Sequence, residues 1–163
     1  MYLEKFKKVK AFVFDVDGVL TDGNVLITES GDQLRTMDIK DGYAINHAIK
    51  AGYQILVISG GTSEGVRIRL NKLGVQHVEL GVKDKMEVLK RLLSELNLRA
   101  EDCLAVGDDV PDIEILNYVG CSACPADAIY DVRDTIDYLS PFLGGKGCVR
   151  DVIEKVLRLS NSW

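Results

Sequence analysis

Two carboxylates and a hydroxyl follow directly on an apolar run near the start of the chain. The run ends at Phe14, and Asp15 and Asp17 come next, ahead of Gly18 and Thr21. Where a strand ends in a loop, residues two apart can both turn toward one point beyond its carboxyl end. Two carboxylates converging there repel each other unless a cation or a proton lies between them. The spacing indicates a site for a hard metal such as Mg²⁺, although alone it is equally typical of a strand end and a turn.

Two further segments have groups that suit an anion. Ser59, Gly60 and Gly61 follow a second apolar run and offer a hydroxyl and exposed backbone N–H groups ahead of a helix. By itself Ser59 is better explained as a turn residue or a helix N-cap. Lys85 opens a later helix, where it can give one positive charge to an anion or lie solvated at the surface.

A third acidic segment follows the apolar run 103–106. Asp108, Asp109 and Asp112 lie within five residues at a predicted strand-to-helix turn, and Pro111 is compatible with the first helical turn. These carboxylates can complete a metal site. The alternative is a capped helix start, where the helix dipole favours acidic residues.

The elements that position these residues alternate between strands and helices. Apolar runs predict the strands, and periodic spacing such as that of Met86, Leu89, Leu92 and Leu93 predicts the helices. Alternation of this kind is typical of an α/β protein with a doubly wound parallel sheet and helices on both faces. The predicted strands are 9–14, 53–58, 75–79, 103–106, 121–123 and, more weakly, 136–138; the predicted helices are 42–50, 63–73, 84–96 and 110–118.

One segment interrupts the alternation. Residues 24–39 form two short apolar stretches around a Glu29-Ser30-Gly31-Asp32 turn, which predicts a β-hairpin inserted just after the first two carboxylates. Its place beyond the active end of the sheet makes it a candidate lid or oligomer contact. We expect one domain over residues 1–163, with a glycine-rich C-terminal tail at about 144–163.

Composition limits the class of protein and of partner. The 163 residues are 47% hydrophobic and 28% charged, with a net charge of −5 and no basic block. We therefore expect a globular cytoplasmic protein that binds neither nucleic acid nor membrane. Cys121 and Cys124 are spaced as in a zinc or redox motif, but the further ligands that such a motif needs are not evident, which favours structural thiols.

Taken in order, these motifs resemble those of the haloacid dehalogenase superfamily of phosphohydrolases, over essentially the whole chain. Asp15–Thr21 is similar to its first motif, Ser59 to the second, Lys85 to the third, and Gly107-Asp108-Asp109 with Asp112 to the fourth. Within the superfamily the chain looks most like the 3-deoxy-D-manno-octulosonate 8-phosphate phosphatases and their nonulosonate 9-phosphate relatives. The segments that carry this closer resemblance are 19–23, 40–43 and 144–151.

The resemblance implies a Rossmann-like fold and a phosphatase mechanism. Asp15 is expected to be the nucleophile and Asp17 the general acid and base. Mg²⁺ is expected on Asp15, Asp108 and the backbone carbonyl of Asp17, and the phosphate on Ser59, Gly60 and Lys85. Asp109 and Asp112 are expected behind this set, orienting waters or Lys85. A non-catalytic module of the same fold is the alternative, but all five central residues are present: Asp15, Asp17, Ser59, Lys85 and Asp108.

The resemblance also bears on substrate and assembly. Too few residues separate the motifs for a cap domain, so the site of a monomer would be open, and capless relatives close it as homotetramers. A sugar phosphate is the expected substrate, most closely 3-deoxy-D-manno-octulosonate 8-phosphate. Gly61 and Asn46 stand where those enzymes usually have arginines, which leaves a nonulosonate 9-phosphate or another sugar phosphate as alternatives. The residues expected to contact the substrate are Asp17, Lys40, Asp41, Gly42, Arg69 and Arg150.

Overall fold

A computed structural model describes residues 2–163, and its centre is a six-stranded parallel sheet. The strand order is β5-β4-β1-β6-β7-β8, and every neighbouring pair is parallel. The strand β1 therefore lies inside the sheet, flanked on both sides. The strands of this sheet are β1 (Ala11–Phe14), β4 (Gln54–Ile58), β5 (His77–Glu79), β6 (Cys103–Val106), β7 (Cys121–Cys124) and β8 (Tyr138–Leu139).

Helices cover both faces of the sheet, as right-handed crossovers between parallel strands require. Three of them begin with a side-chain cap: Asp38 accepts from the backbone N–H groups of Lys40 and Asp41, Ser63 from that of Val66, and Asp84 from that of Glu87. The helices are α1 (Tyr2–Phe6), α2 (Ile39–Lys50), α3 (Glu64–Leu73), α4 (Lys85–Glu95), α5 (Ile113–Tyr118), α6 (Tyr130–Arg133) and α7 (Cys148–Leu159).

Strand alternation divides the core into two layers. Phe12 and Phe14 point into the layer that contains α2 and α7, whereas Ala11 and Val13 point into the layer that contains α4 and α5. All four residues are at most 3% exposed, so β1 is buried on both faces. A strand enclosed in this way holds the residues that follow it in a fixed position.

A small hairpin overhangs the carboxyl end of β1. Its strands, β2 (Leu26–Ile27) and β3 (Gln33–Leu34), pair antiparallel, and an isolated bridge between Thr21 and Met37 anchors its base. The hairpin is the one predicted for residues 24–39. No cap domain accompanies it in residues 2–163, so the α/β fold with a hairpin insertion and no cap is confirmed.

The C-terminal region differs from the prediction. Most of the predicted tail is the helix α7, whose buried face consists of Val149, Val152, Ile153, Val156 and Leu157 and packs against α2. The four cysteines are free and buried, with no disulfide among the described residues. None of the helices in residues 2–163 has the length and apolar character needed to cross a bilayer.

Candidate active site

The residues after β1 form a tight loop that places Asp15 at the carboxyl end of the sheet. Gly18 has a φ of +89°, a conformation that glycine adopts without strain. The buried Thr21 hydroxyl accepts hydrogen bonds from the backbone N–H groups of Gly18 and Gly23, both at 3.2 Å. The loop is thus closed on its own hydroxyl, which gives the threonine of this motif a structural role.

Lys85 connects the first motif to the last. Its ammonium donates to Oδ1 of Asp15 at 2.8 Å and to Oδ1 of Asp112 at 2.7 Å. The side chains of Asp15 and Lys85 are each 11% exposed, so water screens this pair little. The sequence motifs of β1, α4 and the turn after β6 therefore meet at one point, as predicted.

Three carboxylates lie together at this point. Oxygens of Asp15, Asp108 and Asp112 fall within 4.8 Å of one another. Both oxygens of Asp112 are engaged, because Oδ2 accepts from the backbone N–H of Asp108 at 3.0 Å and Oδ1 accepts from Lys85. By contrast, Oδ1 of Asp108 is buried and has no hydrogen-bond partner.

Burying a carboxylate oxygen that has no partner costs free energy unless a cation or a proton binds to it. Asp108 and Asp15 therefore fit a hard divalent cation such as Mg²⁺, which accepts oxygen ligands and keeps several waters. The Asp17 carboxylate lies outside this cluster of carboxylates. The backbone carbonyl of Asp17 therefore stays its predicted metal ligand.

The metal-free electrostatics agree with this assignment. Burial, and then the nearby Asp112, raises the pKa of Asp15 to about 6, against the opposing effect of Lys85. Burial, and then Asp15 and Asp112, raises the pKa of Asp108 to about 7. Burial alone would lower the pKa of Lys85, but Asp15 and Asp112 outweigh it and hold that pKa above its usual value. The cluster carries more negative charge than Lys85 balances, so a cation stabilises it.

The predicted anion-binding residues line the same cavity. Its volume is about 730 Å³, within the range typical of small-molecule sites. Ser59, Gly60 and Gly61 form one wall and Lys85 another. Ser59 is not the N-cap of α3, since Ser63 has that place, and the Ser59 hydroxyl instead accepts from the Gly61 N–H at 3.2 Å.

Asp17 has a partner that the sequence analysis missed. Arg35, from the end of β3, donates through Nε to Oδ1 of Asp17 at 2.6 Å and through Nη2 to Oδ2 at 3.3 Å. One signal in the sequence was available: Arg35 is the only lysine or arginine between Lys10 and Lys40. A lone cation in a segment next to two aspartates is a natural partner for one of them.

The two predicted supporting aspartates differ in position. Asp112 is buried and binds Lys85, as expected of a residue that orients it. Asp109 is exposed, and its carboxylate accepts from the backbone N–H of Val110 at 2.7 Å to cap the short turn Val110–Asp112. Asp109 lines the cavity but does not contact Lys85.

The other predicted substrate contacts lie away from this cavity in a single chain. Lys40 and Arg150 line a second cavity of about 730 Å³ beside α7. Asp41 is buried, and its Oδ1 accepts from the backbone N–H of Arg150 at 2.8 Å. Gly42 faces Arg69, whose Nη2 would lie 2.6 Å from a Cβ at that position. Their contact with a substrate stays a prediction, and Asp41 and Gly42 visibly serve the packing of α2.

The glycines of the predicted tail pack against the catalytic loop of their own chain. Gly144 and Gly145 are buried, and a Cβ on either would overlap backbone atoms of the loop residues 18–22. The Gly145 N–H donates to the carbonyl of Val19 at 2.9 Å. These two residues of the predicted tail are therefore held against the catalytic loop, because only glycine allows this close contact of two backbones.

Comparison with known proteins agrees with the geometry. Residues 81–142 match a family model of haloacid dehalogenase-like hydrolases. The chain is 32% identical, over 95% of its length and 82% of the relative's, to the 3-deoxy-D-manno-octulosonate 8-phosphate phosphatase of Escherichia coli K12.

Solved structures extend the similarity to the fold. That of the 3-deoxy-D-manno-octulosonate 8-phosphate phosphatase from Yersinia pestis has a TM-score of 0.96 at 29% identity, covering 98% of this chain and 86% of that one. The Moraxella catarrhalis enzyme, in complex with a magnesium ion, a phosphate ion and 3-deoxy-D-manno-octulosonate (KDO), has a TM-score of 0.94 at 30% identity, covering 98% and 91%. The chain belongs to the haloacid dehalogenase-like hydrolases, in the family of the 3-deoxy-D-manno-octulosonate 8-phosphate phosphatases.

Proposed function

We propose that this protein is a Mg²⁺-dependent phosphatase that hydrolyses 3-deoxy-D-manno-octulosonate 8-phosphate through an aspartyl-phosphate on Asp15. The observation that carries the proposal is the junction of Asp15, Lys85 and Asp108 at one edge of the sheet. There the carboxylate of Asp15 and the ammonium of Lys85, each on a side chain that is 11% exposed, lie at one cavity with Asp108, which has an unpartnered carboxylate oxygen. Such a set suits phosphoryl transfer, in which positioning and charge neutralisation supply most of the catalysis.

In the first step an Asp15 carboxylate oxygen attacks phosphorus. A bond forms between that oxygen and phosphorus, and the bond from phosphorus to the sugar oxygen breaks. Lys85 and the Ser59 hydroxyl donate to phosphate oxygens, and Asp17 gives its proton to the departing sugar oxygen. A carboxylate is a weak nucleophile, so this step depends on a phosphoryl group held in line and partly neutralised.

In the second step a water attacks the phosphorus of the aspartyl-phosphate. Asp17, now a carboxylate, takes the proton of the water, and Asp15 leaves with the electrons of its bond to phosphorus. When bound at Asp15, Asp108 and the Asp17 carbonyl, Mg²⁺ supplies charge neutralisation for the phosphoryl oxygens. Asp112 holds Lys85 in place throughout and also fixes the backbone of the loop at Asp108.

The choice of substrate rests on the family. The relatives act on an acidic sugar phosphate, and this chain covers 82% of the length of the Escherichia coli relative and 91% of that of the Moraxella catarrhalis structure. The motif residues Asp15, Asp17, Ser59 and Lys85 line a cavity whose volume suits a sugar phosphate.

We further propose that the protein acts as a homo-oligomer, most simply the tetramer that the resemblance implies. In a single chain no cap domain among residues 2–163 covers the site, and the apolar residues of the hairpin are exposed to solvent. Val25, Leu26, Ile27 and Leu34 are 42%, 67%, 56% and 51% exposed. Association of hairpins in a closed ring would bury these residues and wall off the cavity. It could also bring Lys40, Arg69 and Arg150 of a neighbouring copy toward the substrate.

A panel of phosphate esters tests the proposed activity. Phosphate release is measured with Mg²⁺ for 3-deoxy-D-manno-octulosonate 8-phosphate, a nonulosonate 9-phosphate, a neutral sugar phosphate and p-nitrophenyl phosphate. The octulosonate should have the highest kcat/KM, and the Asp15→Asn protein should release none. A higher kcat/KM for the nonulosonate would reassign the substrate. No phosphate release from any ester would identify a non-catalytic module.

A further inference from the structure

The pair formed by Arg35 and Asp17 engages both carboxylate oxygens of the proposed acid. The planar guanidinium donates to both carboxylate oxygens, a two-bond geometry that is among the stronger side-chain pairings in proteins. The Arg35 side chain is 10% exposed and that of Asp17 is 38% exposed. Asp17 also lines the cavity, so while the pair persists a leaving oxygen there must compete with the guanidinium for the Asp17 carboxyl group.

The pair lies beside the cavity, which Asp17 and Gly61 line, and Gly61 leaves room for the guanidinium behind them. A Cβ at Gly61 would lie 3.1 Å from Oδ2 of Asp17 and 3.6 Å from Nη2 of Arg35. Any longer side chain at position 61 would compete with the guanidinium for this space. The bridge between Thr21 and Met37 anchors the hairpin two residues beyond Arg35. The guanidinium is therefore delivered to a defined place beside the substrate cavity.

The charged residues that line the cavity make the position of the Arg35 guanidinium important for an anionic ligand. Two lysines, Lys83 and Lys85, line the cavity, and Lys85 is already bound to Asp15 and Asp112. Seven carboxylates line it as well: Asp15, Asp17, Asp84, Asp108, Asp109, Asp112 and Glu114. A substrate with a second anionic group besides its phosphate would be repelled by such a wall unless a further cation received that group.

We propose that Arg35 is a specificity and positioning residue that exchanges partners when an acidic substrate binds. A carboxylate on the substrate takes over the guanidinium at the Gly61 wall, and Asp17 is released to face the leaving oxygen. A phosphate ester without a second anionic group leaves Asp17 paired, so it binds but turns over slowly. This proposal rests on the proposed function and deepens it, because it links the recognition of an acid sugar to the acid group of the reaction.

The test compares wild type with Arg35→Met, Arg35→Lys and the control Arg91→Met, whose arginine lies on α4 and pairs with Glu79 and Glu95. The substrates are 3-deoxy-D-manno-octulosonate 8-phosphate and the neutral D-mannose 6-phosphate. In Arg35→Met we expect kcat/KM for the acid to fall at least about 10-fold, the worth of a charged hydrogen bond. The kcat for the neutral ester should stay the same or rise, since Asp17 is free. An equal fall for both esters would overturn the proposal and leave Arg35 as a structural residue.

A binding measurement adds a readout that does not depend on turnover. Calorimetry of the unphosphorylated sugar acid with the metal-free protein should give a Kd at least about 10-fold weaker in Arg35→Met than in wild type. Arg35→Lys keeps a charge but loses the planar fork, so its Kd should lie between the two. An unchanged Kd in both folded variants would contradict the proposal. Failure of the proposed function is distinct: wild type itself would then show no preference for the acidic ester.

Discussion

The backbone of Gly18 passes so close to Asp108 that a methyl group added to Gly18 would overlap the Asp108 carboxylate. The two residues lie 90 positions apart in the chain, yet the absence of a side chain at one sets the place of the carboxylate at the other. Since Oδ1 of Asp108 is the unpartnered oxygen of the cluster, this contact fixes the geometry of the proposed metal site.

Gly18→Ala should therefore weaken Mg²⁺ binding at least about 10-fold, because the Asp108 carboxylate must move away. It should also destabilise the fold by about 1–2 kcal/mol, because alanine is strained at positive φ. Gly31→Ala is a matched control, since Gly31 has a φ of +87° but open space around it. The control should lose similar stability in urea and keep wild-type Mg²⁺ affinity by calorimetry. Equal affinities in both variants would refute the role assigned to the contact.

The two aspartates of the first motif should fail in different ways. Asp15→Asn should abolish turnover, and no phosphorylated protein should appear by intact mass spectrometry after an acid quench. Asp17→Asn should slow turnover by at least about 10²-fold, the usual worth of general acid–base catalysis. Any aspartyl-phosphate formed in that variant should hydrolyse slowly, because the attacking water lacks a general base. Asp131→Asn, on the exposed start of α6, serves as a control with wild-type rates. Near-normal turnover in Asp15→Asn would exclude the covalent mechanism.

Asp41 should make the stability of the metal-free protein depend on pH. Burial raises the pKa of this carboxyl to about 6, and its Oδ2 has no partner. The folded protein then keeps a proton that the unfolded chain releases near pH 4, so the contribution of Asp41 to stability falls as the pH rises from about 4 to about 6. Asp41→Asn keeps the acceptor for the Arg150 N–H and should be more stable than wild type at pH 8 by up to about 3 kcal/mol.

The free energy of unfolding in urea, measured at pH 4 and pH 8 with a metal chelator present, checks this prediction. The gain in Asp41→Asn should be smaller at pH 4, where Asp41 is protonated in the folded protein and only about half ionised in the unfolded chain. Glu4→Gln is a control whose effect on stability should have the opposite pH dependence, since hydrogen bonding to Lys7 lowers the pKa of the exposed Glu4 carboxyl. A loss of stability in Asp41→Asn that is the same at both pH values would show that the Asp41 side chain does not titrate in this range.

Charges on the hairpin should separate assembly from chemistry. Leu26 and Leu34 are directly opposite each other and more than half exposed. A Leu26→Glu, Leu34→Glu double variant should elute as a smaller species on a sizing column, because glutamates oppose burial of that face. It should keep slow hydrolysis of p-nitrophenyl phosphate and lose most of its kcat/KM for the sugar phosphate. Tyr118→Glu, at the end of α5, is the control. A wild-type protein that is monomeric and fully active would contradict the model.

The sequence was a good guide wherever a single segment carries the information. The strand β1, with its apolar run and the two aspartates after it, was predictable because strand burial and loop chemistry are local. Ser59, Lys85 and Asp108 were predictable because parallel strands put their following loops at one edge. The helix α7 was not predicted, although Val149, Val152, Ile153 and Val156 show helical spacing, because the glycine-rich segment before it is typical of a loop or tail.

Contacts between residues far apart in the sequence could not be predicted from the motifs. Nothing in the order of residues says that Arg35 reaches Asp17, because that contact depends on how the hairpin folds back over β1. The same holds for Asp41, whose contact with a substrate stays a prediction and whose carboxylate accepts from the backbone N–H of Arg150 in the first turn of α7. A motif gives the type of residue that chemistry needs, whereas the packing of neighbouring elements decides which polar groups it meets.

The contact of Gly145 with the catalytic loop also has a consequence for how the protein is made. The loop at Val19 is closed by backbone and thiol groups that come about 125 residues later, including the Cys148 thiol, which is 129 positions away. Contacts so distant in sequence form late, since the intervening chain must first be ordered. During synthesis the nucleophile emerges early, but its loop lacks this support until residues 144–148 have left the ribosome. A nascent chain would thus gain its catalytic geometry only after residues 144–148 have been made and have packed against the loop.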